Sequence, residues 1–297
     1  MAGIMQRATV RIDAVAIETR AADLGRRSLK GESKAAAIDL AIACMDLTTL
    51  EGRDTPATVR DLCARGKAPA PGAPPVAAVC VYPRLVRAAT EALRDSSVRV
   101  ASVATAFPSG QSSLDVKLRE THDALADGAR EIDMVIDRGA LLAGRDDDVA
   151  HEIARIRDAC GDATLKVILE VGELGSYAMM RRACDLALAS GADFLKTATG
   201  KIGVSSTPAI ALVLCDAIAE HSRRTGRDVG IKFAGGIRTT KNAFVYLAIV
   251  NETLGDAWLR PERLRIGASA LLDDLLLQRT KLQTGAYGDP ARAAVAV

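Results

Sequence analysis

The chain has 297 residues, 49% of them hydrophobic, with 39 Lys and Arg against 37 Asp and Glu and a formal net charge of +2. That balance supports a large buried core and excludes a disordered or fibrous chain, while the scatter of the basic residues excludes an electrostatic footprint for nucleic acid or an anionic membrane. The six cysteines lie far apart with no C-x-x-C pair, as reduced buried thiols do, and no apolar run approaches the roughly 18 residues of a membrane span or forms a signal-peptide core, so a cytoplasmic protein is expected.

In chain order, the N-terminal stretch to about Lys34 is expected to form an extra helix. Apolar segments rich in Val, Ile and small residues then read as strands: Ile42 to Leu47, Val76 to Tyr82, Val98 to Phe107, Glu131 to Ile136, Leu165 to Val171, Asp193 to Thr197, Val229 to Ala234 and Leu264 to Ala268. Segments of helical periodicity separate them, such as Leu114, Leu118, His122 and Leu125, or Ile153, Ile156 and Cys160. Thr55-Pro56, Ser113, Ser176, Thr207-Pro208, Thr240 and Ser269 mark helix starts, and Gly128, Gly161, Gly191, Gly226 and Gly255 mark helix ends. The Pro-rich loop from Lys67 to Pro75 reads as rigid and exposed.

Matching points on successive strands (Met45, Cys80, Ala104, Asp133, Lys166, Lys196, Lys232 and Gly267) are 24 to 36 residues apart. Eight such βα units, with strands apolar on both faces, predict an α/β protein with a single (β/α)8 TIM barrel rather than an open doubly wound sheet. The expected division is an N-terminal helical extension (1–34), the barrel (35–280) and a flexible C-terminal tail (281–297).

Barrels of this kind carry their active sites at the carboxyl ends of the strands, so charges inside strand segments are informative. Asp133, Lys166, Lys196 and Lys232 are such charges. A single strand-end lysine would be read as pairing with Asp133 or with a glutamate such as Glu170. Lys196 and Lys232, however, occupy corresponding positions on consecutive strands. Burial and a neighbouring like charge both disfavour an ammonium, so one of the two is expected to be a nucleophilic amine near neutral pH, the requirement for a Schiff base. Lys166 reads as an internal ion-pair partner, and Asp133 as a proton relay that stays ionised beside the ammonium groups. Asp46 and Thr48 offer polar contacts to a small hydroxylated substrate. Three Gly-rich segments follow the last strands, Thr199-Gly200-Lys201, Ala234-Gly235-Gly236-Ile237-Arg238 and Gly267-Ala268-Ser269. Their exposed N–H groups predict an anion cradle and a phosphorylated substrate. The three histidines fall in helical segments, so no metal and no cofactor are expected.

Together, Met45-Asp46-Leu47-Thr48-Thr49-Leu50, Ala78-Val79-Cys80-Val81-Tyr82-Pro83, Phe107-Pro108-Ser109-Gly110, Glu131-Ile132-Asp133, Gly172-Glu173-Leu174, Phe194-Leu195-Lys196-Thr197-Ala198-Thr199-Gly200-Lys201 and Lys232-Phe233-Ala234-Gly235-Gly236-Ile237-Arg238-Thr239 resemble the deoxyribose-phosphate aldolase family, in unbroken order from about residue 36 to 277. The resemblance implies a metal-independent class I aldolase of deoxyribonucleotide catabolism, cleaving 2-deoxy-D-ribose 5-phosphate reversibly into D-glyceraldehyde 3-phosphate and acetaldehyde.

It implies Lys196 as the Schiff-base lysine, Lys232 as the residue that perturbs it and Asp133 as the proton relay. The implied phosphate site is Gly200, Lys201, Gly235, Gly236, Arg238, Gly267 and Ser269. Thr199 belongs with the substrate-binding residues. Cys80, which otherwise reads as a core thiol, matches a cysteine near the substrate aldehyde, and Tyr287 is the one candidate for the family's tail tyrosine. A homodimer is implied. Phe233 and Ala270 depart from the family pattern, Ala270 by removing one hydroxyl that could hold phosphate. The alternatives are another Schiff-base sugar-phosphate aldolase, transaldolase-like, or a catalytically silent sugar-phosphate sensor.

Overall fold

The structure, a computed structural model, describes residues 12–27, 30–203 and 206–286. Eight parallel strands close on themselves in sequence order: β1 (Met45–Thr48), β2 (Ala78–Val81), β3 (Arg99–Ala104), β4 (Glu131–Val135), β5 (Thr164–Ile168), β6 (Phe194–Lys196), β7 (Gly230–Ala234) and β8 (Leu264–Ala268), with β8 hydrogen-bonded back to β1. Around them run α1 (Ala14–Gly25), α2 (Gly31–Ala43), α3 (Pro56–Lys67), α4 (Val86–Ala92), α5 (Leu114–Ala126), α6 (Arg138–Leu142), α7 (Asp146–Cys160), α8 (Tyr177–Ala189), α9 (Pro208–Thr225), α10 (Thr240–Leu254) and α11 (Leu271–Thr284). The expected (β/α)8 barrel is present. No helix among the described residues is long and apolar enough to cross a membrane.

Local chemistry sets most boundaries. Thr55, Ser176 and Thr207 cap α3, α8 and α9 by accepting from the N–H of Thr58, Met179 and Ile210, and Pro56 and Pro208 follow at first-turn positions where the missing N–H costs nothing. The long α9 ends on Gly226 at φ 71°, a conformation a side chain would disfavour. Two expected starts are displaced. Thr239, not Thr240, caps α10, and α11 begins at Leu271 rather than at Ser269. Thr240 instead gives its N–H and hydroxyl to Asp274 of α11, each at 2.6 Å.

The extra helix ahead of the barrel is α1, but a second one, α2, runs on to Ala43. Ile38, Ala41 and Ile42 are fully buried on it, so Ile42, expected in the first strand, is helical and β1 starts at Met45. Two strands stop short of the expected ends, where the chain leaves the extended region: Thr105 and Ala106, directly after β3, lie at φ 66° and 59°, and Glu170, two residues after β5, at φ 50°.

The main hydrophobic core fills the layer between barrel and helices, with Met45, Leu47, Ile132, Met134, Leu165, Val167, Leu195, Ile231, Phe233 and Ile266 pointing outward into it. The barrel interior differs from the expected apolar filling. On the β2–β3 side it is small and apolar, with Ala78, Cys80, Ala101 and Val103 packed under Leu50. Elsewhere it is charged: Asp46, Glu131, Asp133, Lys166, Lys196, Lys232 and Arg265 are all buried. The period-2 alternation of a strand puts charge inside and aliphatic side chains outside on the same segments.

Candidate active site

Asp133, on β4, is the hub. Its Oδ2 accepts from Lys196 and from Lys232, each at 2.7 Å, and its Oδ1 accepts from Lys166 at 2.8 Å. Lys196 and Lys232 are register partners on β6 and β7, so their side chains leave the sheet on the same side. Lys232 also reaches Asp46 Oδ2 at 2.5 Å, and Lys166 reaches Glu131 at 2.5 Å and Asp46 at 3.5 Å. Arg265, on β8, closes the cluster from below through Asp46 Oδ1 at 2.6 Å and both oxygens of Glu131 at 2.7 and 2.9 Å.

The cluster holds four cations and three carboxylates. Burial makes an uncompensated charge expensive, so one proton in excess is the one most readily lost. Lys166 lies within reach of three carboxylates and Lys232 of two, but Lys196 has only the Asp133 oxygen that it shares. Burial, reinforced by the Lys232 ammonium, therefore holds Lys196 below the ordinary lysine range even against Asp133. For Lys232 burial acts the same way, but Asp133 and Asp46 outweigh it and its pKa is raised. Lys166 is raised likewise, by Asp133, Glu131 and Asp46 against burial. Burial pushes the Asp133 and Asp46 carboxyls up, but the cations around them dominate and both stay ionised well below the usual range.

The other expected residues fall as follows. Cys80 is buried with its Sγ 4.0 Å from Asp133 Oδ2, and burial raises its thiol pKa. Thr48, half-buried, donates to the Asp46 carbonyl at 2.8 Å. Thr199 is held by Glu170, which accepts from its N–H at 3.1 Å and from its hydroxyl. The Thr199 hydroxyl in turn accepts from Lys201 N at 3.0 Å. Glu170 thus bonds Thr199 and not a lysine, from a backbone at φ 50°. Lys201 Nζ reaches Glu51 at 2.9 Å, across to the segment after β1.

The carboxyl ends of β6, β7 and β8 adjoin, and so do the segments leaving them, with Gly200, Gly235 and Gly236 at positive φ. A Cβ added at Gly200 or Gly236 would meet nothing within 4 Å, so these turns border open space. Arg238 and Ser269 are exposed on the same rim. Gly267 has a further reason to lack a side chain, since a Cβ there would stand 3.1 Å from Cε of Lys232. Phe233 points away from the site and packs on Tyr246 of α10, ring centroids 4.7 Å apart. Tyr287 lies outside the described residues.

Sequence reading missed Arg265 and Glu131, although both stand in strand segments at the inward parity that drew attention to Asp133. It also missed the anchoring of Thr199 by Glu170, which no sequence spacing signals.

Fold and site define a (β/α)8 enzyme whose barrel holds a buried cluster of lysines, an arginine and carboxylates. The family model described as DeoC/LacD family aldolase matches residues 40–275. The chain is 43% identical to the deoxyribose-phosphate aldolase of Mus musculus, covering 94% of this chain and 92% of that one, and 42% identical to that of Homo sapiens, covering 88% and 86%. The deoxyribose phosphate aldolase of Aeropyrum pernix, a tetramer, shares its fold with a TM-score of 0.66 at 24% identity, over 93% of this chain and 100% of that one. The chain belongs to the DeoC/LacD aldolase family.

Proposed function

We propose that the chain cleaves 2-deoxy-D-ribose 5-phosphate reversibly into D-glyceraldehyde 3-phosphate and acetaldehyde through an imine on Lys196. The observation that carries this reading is the shortage of carboxylate at Lys196, which leaves an amine at the mouth of the barrel. Its side chain also meets solvent, 3% exposed, where that of Lys166 is 0%. The amine adds to the C1 aldehyde of the open-chain sugar and water leaves, giving an imine that withdraws electrons from C2. Loss of the C3 hydroxyl proton then lets the C2–C3 bond break. The electron pair passes into an enamine, and C3 departs as the aldehyde of glyceraldehyde 3-phosphate. Protonation at C2 and hydrolysis of the imine release acetaldehyde and restore the amine.

Asp133 holds three lysine nitrogens on two oxygens and is the relay through which a proton passes by way of water. Lys232, locked between two carboxylates, keeps its charge and keeps Lys196 short of one. Asp46 binds Lys232 and Arg265, so its part is to hold the lysine layer, while Thr48, Cys80 and Thr199 border the sugar. Gly200, Lys201, Gly235, Gly236, Arg238, Gly267 and Ser269 receive the phosphate, and Tyr287 assists proton transfer from the tail. The chain acts in the cytoplasm as a homodimer, which light scattering tests; a tetramer, as in Aeropyrum pernix, would replace it.

Intact mass after addition of 2-deoxyribose 5-phosphate and borohydride, with peptide mapping, tests the chemistry. A reduced adduct on Lys196 supports it. Binding of the sugar phosphate without any adduct overturns it in favour of a silent sensor.

A further inference from the structure

We propose that Arg265 is the positioning residue that keeps Lys196 an amine: by sharing Asp46 with Lys232 and Glu131 with Lys166 it is the fourth cation on three carboxylates, so that both lysines also lean on Asp133 and Lys196 has no carboxylate of its own. The inference rests on the reading of Lys196 as the imine-forming lysine. Arg265 lies on β8 and touches neither Lys196 nor the mouth of the barrel, so it acts through the carboxylates it holds.

Its place is built. The guanidinium takes both oxygens of Glu131 and one of Asp46, its Nε donates to the Pro261 carbonyl at 2.5 Å, and its Cζ lies over the Phe194 ring, 5.6 Å from the centroid. Phe194 in turn occupies the space left by Gly230, where a Cβ would stand 2.3 Å from the ring. An arginine stays protonated under all ordinary conditions, so the proton that a crowded cluster sheds must come from a lysine. The groups that act on Lys196 directly are Asp133 of β4, Lys232 of β7 and Cys80 of β2, and behind them in the same cluster stand Asp46 of β1, Glu131 of β4, Lys166 of β5 and Arg265 of β8. Arg99 of β3 lies 3.7 Å from Glu131 but is 54% exposed, and water screens it. Without Arg265 three lysines would face three carboxylates. Glu131 and Asp46, now shared with the guanidinium, would then serve Lys166 and Lys232 undivided, and Asp133 would be left to hold a proton on Lys196.

The test is the pH dependence of kcat/KM, together with the pH dependence of borohydride trapping, in the full chain and three variants. In Arg265→Met the acid limb moves to higher pH by about one unit or more, so that turnover at pH 7 falls roughly tenfold and recovers in alkali. Glu131→Gln adds to the excess of positive charge and moves the limb the other way. The double variant restores one cation in excess, and its limb returns to that of the parent. An unmoved limb in Arg265→Met, or a double variant displaced as far as the single one, overturns the proposal. Should Arg265→Met fail to fold, Glu131→Gln decides alone, an unmoved limb being the contrary result. Trapping of the parent on a lysine other than Lys196 would instead sink the imine reading. A parent adduct on Lys196 with unmoved limbs sinks only the part assigned to Arg265.

Discussion

Lys196 and Lys232 face each other across the β6–β7 register and donate to the same Asp133 oxygen at the same 2.7 Å, yet one is held below the usual lysine range and the other above it. The difference is Asp46, which lies 2.5 Å from Lys232 and forms no ion pair with Lys196. Two lysines of like environment in the sequence are thus made unlike by one carboxylate from a strand nearly two hundred residues away.

Replacement of Lys232 by Met leaves three cations for three carboxylates, and Asp133 then serves Lys166 and Lys196 alone. Asp46 keeps Arg265, so the fold survives. Turnover at pH 7 is expected to fall about 100-fold, with the acid limb of kcat/KM moved to higher pH. A uniform loss at every pH would contradict this account.

Lys196→Met should abolish turnover and stabilise the fold. The group it removes is the one buried basic side chain without a carboxylate of its own, and Asp133 retains Lys166 and Lys232, so no carboxylate is orphaned; a gain of about 1–3 kcal/mol is expected. The pH dependence has a definite sign. Because the folded pKa of Lys196 lies below its unfolded value of about 10.4, the wild type bears the full cost below the folded pKa and is relieved as pH rises toward the unfolded one. Denaturant unfolding at several pH values should show the variant's advantage at neutral pH and its disappearance in alkali. A destabilised variant would refute the charge count.

Gly230→Ala would place a methyl 2.3 Å from the Phe194 ring, which cannot yield without disturbing the guanidinium above it. The expected loss of stability is about 1–3 kcal/mol, read as a lower midpoint in thermal unfolding. An unchanged midpoint would mean that the barrel floor has slack.

Glu170→Gln removes one of the two acceptors that hold Thr199 and loosens the turn carrying Gly200 and Lys201. KM for the phosphorylated sugar should rise about tenfold with kcat within about twofold, while free 2-deoxyribose is handled as before. Equal effects on both sugars would remove the turn from the phosphate site.

The sequence by itself determined the barrel, since eight apolar segments punctuated by capping residues and glycines repeat a local pattern, and local patterns are what a chain displays in order. It also picked out Lys196, Lys232 and Asp133, because charge at the inward parity of a strand is anomalous wherever it stands. What only the tertiary structure decided is which charge meets which. The ownership of Asp46 by Lys232 and Arg265, the pairing of Glu170 with Thr199 rather than with a lysine, and the outward turn of Phe233 depend on barrel closure and register. Closure brings β8 against β1, and an ion pair buried there follows from distances in space that no spacing along the chain contains.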